Sequence, residues 1–227
     1  MADTDCAKTG FIGTCISPNT SGAECQFETV VPVNLTLIGD PSCTVCDSAR
    51  MENVLAQLFP GIRIQRLSID SEEGRQLAQK AGVDALPAYL LGKEAEQALR
   101  FGEFQRALIP TEEGDYLVSP SASGASYFFR REQDKGRLDL YLTELHPVEK
   151  NVWEVLELLG SSMRYESRIV SEEDKEKLKD EMAITSYPTF VVNNQFKFSG
   201  LQSAESIKEK FCAFNPLDEC ATVLSVS

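Results

Sequence analysis

Cys43 and Cys46, in the stretch Gly39-Asp40-Pro41-Ser42-Cys43-Thr44-Val45-Cys46-Asp47, have Cys-x-x-Cys spacing. An apolar run, Val33 to Ile38, leads into them, and a helical pattern, Ala49 to Phe59, leads out. At such a strand-to-helix junction the first sulfur is expected at the helix N-terminus, where backbone N–H groups and the helix dipole stabilise a thiolate. The second sulfur lies one turn along, within reach of a small disulfide ring. Thiol pKa values at such sites fall to about 3.5–7.5 from about 8.5, which suits disulfide exchange with a partner. A zinc half-site has the same spacing but needs two further ligands. The chain has no second Cys-x-x-Cys and a single histidine, His146, so redox chemistry is expected and no metal site is assigned. Asp40 and Asp47, if close in space, oppose the helix by raising thiol pKa values, and Thr44-Val45 brings no positive charge between the sulfurs.

The elements that must position this pair are legible from periodicity. Val33, Leu35, Leu37 and Ile38 make a buried strand, and Met51, Val54, Leu55 and Leu58 repeat at helical spacing until Pro60-Gly61. Ile62, Ile64, Leu67 and Ile69 supply a second strand. Ser71-Glu72-Glu73-Gly74 opens a helix that runs to Ala81 and stops at Gly82. This alternation implies parallel pairing through crossover helices. The next apolar strand, Val83 to Leu91, carries Pro87 near its start, where a missing N–H is tolerated. Phe101 and Phe104 with Tyr116, Leu117 and Val118 are expected to form a closing hairpin, and Ser119 to Ser126 reads as a linker.

A second cycle starts at Leu138. A strand (Leu138 to Leu142), the turn Thr143-Glu144-Leu145-His146, and a helix from Pro147 to Leu159 come first. His146 reads as a surface or capping residue. A strand (Tyr165 to Val170) and a helix opened by the capping pair Ser171 and Asp174 follow. Ile184 to Val192 repeats the strand with a proline at its start, Tyr187-Pro188. Asn193-Asn194 then turns into Phe196-Lys197-Phe198, and a last helix spans Ala204 to Phe211. This internal repetition is the strongest global feature of the chain.

The 227 residues are 42% hydrophobic and 25% charged, enough for a substantial core, and the net charge of −13 argues against nucleic acid and anionic membrane surfaces. No run of about 20 apolar residues occurs. The N-terminus, Met1-Ala2-Asp3-Thr4-Asp5, has neither the basic nor the apolar region of a signal peptide. The cysteines nevertheless point to an oxidising compartment. Cys15 and Cys25 bracket a Pro/Asn/Ser/Gly loop and Cys212 and Cys220 another, so both pairs are expected to be structural disulfides. Cys6 is left as a thiol, an intermolecular partner, or an alternative mate for Cys15 or Cys25. An extracytoplasmic setting, periplasmic or secreted, with the export segment missing from this sequence is therefore expected; the cytoplasm is the alternative.

The order strand, Cys-x-x-Cys, helix, strand, helix, then a strand begun by Leu86-Pro87 resembles the thioredoxin superfamily. The resemblance implies an α/β fold of two tandem thioredoxin-like copies, each a mixed sheet flanked by helices. It implies that Pro87 is cis and lies against the disulfide, with Cys43 the exposed nucleophile and Cys46 the resolving thiol. Leu86 would offer its backbone to an extended substrate strand, beside Thr44 and Val45. In the second copy, which has no cysteines at its strand-to-helix junction, Tyr187 and Pro188 would bind an extended peptide by backbone pairing. The tandem chain is similar to protein disulfide oxidoreductases and to the N-terminal module of alkyl hydroperoxide reductase flavoproteins. Expected boundaries are an irregular extension (1–30), the copy with Cys-x-x-Cys (31–122), a linker (123–136) and the second copy (137–227).

The expected activity is thiol–disulfide exchange with protein partners and an unidentified redox partner, with no cofactor beyond the Cys43–Cys46 disulfide. Two alternatives are a module that binds or carries a soft ion such as Cu(I) or Hg(II), and a non-catalytic binding scaffold.

Overall fold

The computed structural model of the chain describes residues 3–144 and 146–224. Leu145, in the expected turn before Pro147, and Met1-Ala2 lie outside the described residues. The chain divides into two compact units. One takes in the residues up to Leu37 with Ala49–Arg66 and Tyr89–Val118; the other takes in Ile38–Ser48, Leu67–Ala88 and the chain from Ser119 on.

In the first unit, β1 (Phe11–Ile16) and β2 (Glu24–Thr29) form an antiparallel hairpin. The sequence reading expected irregular chain here. Most side chains of both strands are exposed, so burial imposes no apolar alternation that would give the strands away. Five strands make the main sheet, in the order β4-β3-β5-β7-β6. They are β3 (Val33–Gly39), β4 (Ile62–Ser68), β5 (Ala88–Leu91), β6 (Leu108–Pro110) and β7 (Tyr116–Val118). The helix α1 (Ala49–Leu58) buries Leu55. The closing hairpin differs from expectation: Phe101 and Phe104 belong to a short helix, α3 (Phe101–Phe104), and β7 pairs with β6 instead. Phe101 packs edge-on against Tyr116, so the aromatic signal reported a contact and not a strand.

The second unit carries α2 (Glu72–Lys80), a short α4 (Pro120–Ser123) and a four-stranded sheet in the order β11-β10-β8-β9. Its strands are β8 (Arg137–Leu142), β9 (Arg164–Ile169), β10 (Thr189–Val192) and β11 (Phe196–Ser199), with α5 (Val148–Leu159), α6 (Glu172–Met182) and α7 (Ala204–Phe214) between and after them. β8 and β9 are parallel because α5 crosses over between them; β10 runs antiparallel to β8 and to β11. In order of appearance the four-stranded sheet reads second, first, third, fourth strand, and the five-stranded one second, first, third, fifth, fourth, with β6 at its edge. Serines cap three of the described helices, two of them, at Ser71 and Ser171, as the sequence implies. The hydroxyls of Ser71, Ser171 and Ser203 accept from the N–H groups of Gly74, Asp174 and Ser206. Asn193 and Asn194, at φ 54° and 61°, make the tight turn between β10 and β11.

Three disulfides are present among the described residues. Cys212–Cys220 is the expected one. The expected bond between Cys15 and Cys25 is not formed: Cys25 is joined to Cys6, with a Cα separation of 5.5 Å. Cys15 is buried opposite Cys25, its Sγ 3.9 Å from the Ile16 carbonyl. The cause is Gly13. A Cβ there would stand 1.8 Å from the Cys6 carbonyl oxygen, so the glycine lets the N-terminal arm lie on the hairpin and bring Cys6 to Cys25.

Candidate functional site

The loop after β3 is built by turns. The Asp40 carboxylate accepts from the Ser42 N–H at 2.8 Å and from the Ser42 hydroxyl at 2.7 Å. The Asp40 carbonyl accepts from the Cys43 N–H (3.1 Å), and the Cys43 carbonyl from the Cys46 N–H (3.3 Å). These turns take up the backbone groups, and α1 begins only at Ala49. Neither cysteine therefore stands on a helical residue, which corrects the expectation that Cys43 sits at the helix N-terminus and draws on its dipole.

Cys43 and Cys46 are joined as a disulfide. Cys43 is only 8% exposed and belongs to the buried cluster of Leu140, Val152 and Phe196, while Cys46 and Val45 are half-buried against that cluster and Thr44 is exposed. The expected order of exposure is reversed: Cys43 joins a buried cluster built largely by apolar side chains of β8, α5 and β11.

The Leu86–Pro87 bond is cis, as the resemblance implies. Cys46 Sγ lies 3.8 Å from the Leu86 carbonyl oxygen, so disulfide and loop are in contact. The backbone of Leu86, however, is not open to a bound strand. Its N–H donates to the Tyr127 carbonyl (2.8 Å), and its carbonyl accepts from the N–H groups of Tyr127 (3.0 Å) and Ser126 (2.8 Å). The expectation that Leu86 offers these groups to substrate is thus corrected: the chain's own residues hold them. Tyr127 also bridges to Phe196 on β11, and its ring stacks on the Phe196 ring at 4.4 Å. Sequence reading missed this segment, which lies inside the expected linker (123–136). The signal present was the aromatic run Tyr127-Phe128-Phe129 directly after Ser126.

A cavity of 510 Å³ opens beside Tyr127, with Asp40, Asp70, Arg75, Phe129 and Arg130 in its walls. Burial, then the charges of Asp40 and Asp70, push the Tyr127 phenol above its ordinary pKa.

Tyr187 and Pro188, also joined by a cis bond, line a separate cavity of 330 Å³ with Glu144, His146 and Leu201. His146 Nδ1 accepts from the Val148 N–H at 3.1 Å, so the ring caps α5. The Tyr187 hydroxyl is buried and has no hydrogen-bond partner among the described residues. The described residues include no cluster of three or more His, Cys, Asp or Glu side chains arranged to hold a metal ion, and no helix long and apolar enough to cross a membrane.

No protein-family model matches the sequence, and no curated protein matches it. Among solved structures, the chain is similar to the N-terminal domain of the alkylhydroperoxide reductase AhpF from Enterococcus faecalis (V583). The identity is 15% and the TM-score 0.27, covering 80% of this chain and 91% of that one. It is also similar to ERdj5, at 16% identity and a TM-score of 0.27, covering 89% of this chain and 29% of that one. Scores this low carry no assignment. The chain itself has mixed sheets flanked by helices, with a Cys-x-x-Cys disulfide against a cis-proline loop.

Proposed function

We propose that this chain is a thiol–disulfide oxidoreductase acting on protein partners through Cys43 and Cys46. One observation carries the reading: the Cys43–Cys46 disulfide lies in a turn with Cys46 Sγ in contact with the Leu86 carbonyl, next to Pro87. A partner thiolate attacks one sulfur, the Cys43–Cys46 bond breaks, and a mixed disulfide forms while the other cysteine leaves as a thiolate. A second partner thiol then attacks the mixed disulfide, which leaves an oxidised partner and the Cys43/Cys46 dithiol. The disulfide itself is the oxidant, and no further cofactor is invoked. Because Cys46 is the more exposed residue of the pair, its sulfur is the one a partner reaches first, and Cys43 is the leaving group here and the resolving thiol when the exchange runs in reverse. In the reduced protein the Cys46 thiol is placed to donate to the Leu86 carbonyl.

We read the chain as two tandem thioredoxin-like copies, 31–122 and 137–227, the second without cysteines at the start of its first helix. Tyr187 and Pro188 remain candidates for peptide contact there. Two disulfides away from this site, Cys6–Cys25 and Cys212–Cys220, support an oxidising, extracytoplasmic setting.

The test is to equilibrate the protein in graded glutathione buffers, block thiols, and map each cysteine by mass spectrometry. Cys43 and Cys46 are expected to titrate together while the other two bonds stay closed. A midpoint near about −120 to −180 mV marks a disulfide donor or isomerase, and one near about −270 mV a reductant. A Cys43–Cys46 bond that opens only along with the other two would make the chain a stapled binding protein.

A further inference from the structure

The segment Ser126–Phe128 lies between the loop before Pro87 and the edge strand β11. On one side it holds both backbone groups of Leu86. On the other, the Phe128 N–H donates to the Gln195 carbonyl (2.9 Å), and the Ser126 carbonyl accepts from the Lys197 N–H (2.7 Å). Tyr127 packs on the cluster that buries Cys43, together with Val45 and Cys46. The segment is pinned at both ends. Upstream, Gly124 at φ 73° ends α4; downstream, Arg131 donates to the Asn194 side chain at 2.9 Å and 3.3 Å.

We propose that Ser126–Phe128 is an intramolecular strap that gates the disulfide, so that a protein thiol exchanges with Cys43–Cys46 only when the strap leaves Leu86. This rests on the redox reading of the pair. Three observations support it together. The sulfur of Cys46 touches the carbonyl that the strap holds, so an extended chain laid along this sulfur competes with the strap for Leu86. Both Leu86 backbone groups are satisfied internally, so an incoming strand gains no hydrogen bond there until Tyr127 gives up its own. The strap is also a single bridged residue with flanking bonds, not a long ladder: release at Leu86 breaks three hydrogen bonds and the contacts of the Tyr127 ring with Phe196 and Phe129, while Phe128, buried in the neighbouring cluster, stays as the anchor. The 510 Å³ cavity beside Tyr127 gives the displaced ring a place to go. Exchange then follows the steps above: an open state that is only fractionally populated lowers the apparent rate by that fraction.

The experiment compares reduction of Cys43–Cys46 by dithiothreitol, a small dithiol, with reduction by an extended peptide dithiol. It is run on the wild type, Tyr127→Ala and Tyr127→Phe, each checked for folding by circular dichroism. Tyr127→Ala removes the ring that seats the strap; Tyr127→Phe keeps the stacking on Phe196. The ratio of peptide rate to dithiothreitol rate is expected to rise about tenfold or more in Tyr127→Ala and to stay at the wild-type value in Tyr127→Phe. An unchanged ratio in a folded Tyr127→Ala overturns the strap. Deuterium uptake by residues 124–129 gives a second readout that does not depend on Tyr127 variants. In Cys43→Ser or Cys46→Ser protein carrying the peptide as a mixed disulfide, that segment is expected to lose protection; retained protection overturns the strap. Failure of the redox reading looks different: neither dithiol opens the pair in any of the three proteins, and the strap falls with it.

Discussion

Cys15 and Cys25 face each other across the β1–β2 hairpin, yet the sulfur of Cys25 is bonded to Cys6. The two candidate partners of Cys25 approach it from different elements, one from the opposite strand and one from the N-terminal arm. Gly13 decides between them, because its missing side chain is where the Cys6 carbonyl lies.

Peptide mapping of the unreduced protein should accordingly recover Cys6 with Cys25, and not Cys15 with Cys25. In Cys6→Ser the bond should transfer to Cys15, since directly paired residues of a hairpin have Cα atoms about 4.5–5.5 Å apart, within disulfide reach. Gly13→Ala should shift the population the same way by pushing the arm off the hairpin. A wild-type Cys15–Cys25 peptide would contradict the arm's placement.

Single-cysteine variants should report which sulfur a partner meets. Cys43→Ser is expected to accumulate a mixed disulfide on Cys46, and Cys46→Ser to form adducts more slowly, because the remaining sulfur is buried. Adduct formation only in Cys46→Ser would restore the order of roles that the family resemblance implies. Mass spectrometry after challenge with a disulfide-bonded peptide distinguishes the two.

Asp139 on β8 is buried, and both of its carboxylate oxygens accept from Arg137, at 2.8 Å and 2.7 Å. Arg137 reaches Glu166 (2.9 Å) and Asp134 (3.4 Å) as well, and the carboxylates hold its guanidinium pKa above the ordinary value. The two truncations should therefore differ. Arg137→Ala strands a buried carboxylate and is expected to cost about 3–5 kcal/mol of stability. Asp139→Ala leaves Arg137 two acidic partners and should cost less. Urea unfolding of both variants checks the order; equal losses would show that the pair, and not the buried carboxylate, sets the effect.

Lys197 is 8% exposed, and its Nζ donates to the carbonyls of Met182 (3.0 Å) and Ala183 (2.7 Å) at the C-terminal end of α6. Burial lowers its pKa from 10.5 to about 8. Between these values the unfolded chain holds the proton that the folded one has lost, so folding stability gains as pH rises from about 8 to about 10.5. Compared with Lys197→Met, the wild type should gain on the order of 2–3 kcal/mol across that window. A stability difference between the two proteins that does not change with pH would refute the lowered pKa.

Much of the architecture was legible along the chain because it rests on short-range rules. Apolar periodicity marked β3, α1, β4 and the whole run from β8 to α7. Ser71 and Ser171 marked the starts of two helices, and Asn193-Asn194 marked a turn. Leu86-Pro87 and Tyr187-Pro188 marked the entries to β5 and β10. The Cys-x-x-Cys spacing sufficed for a short disulfide, since bridging residues so near in sequence asks little of the rest of the fold.

Other features depend on residues far apart in sequence, and only the tertiary structure decided them. The mate of Cys25 depends on where the N-terminal arm lies, which a glycine in another strand permits. The exposure of Cys43 depends on side chains of β8, α5 and β11, more than ninety residues away. The state of the Leu86 backbone depends on Tyr127, forty-one residues later, in a stretch whose small polar residues read as linker. Backbone hydrogen bonds carry no side-chain signature, so nothing in the residues around Pro87 shows whether its loop is open or already filled.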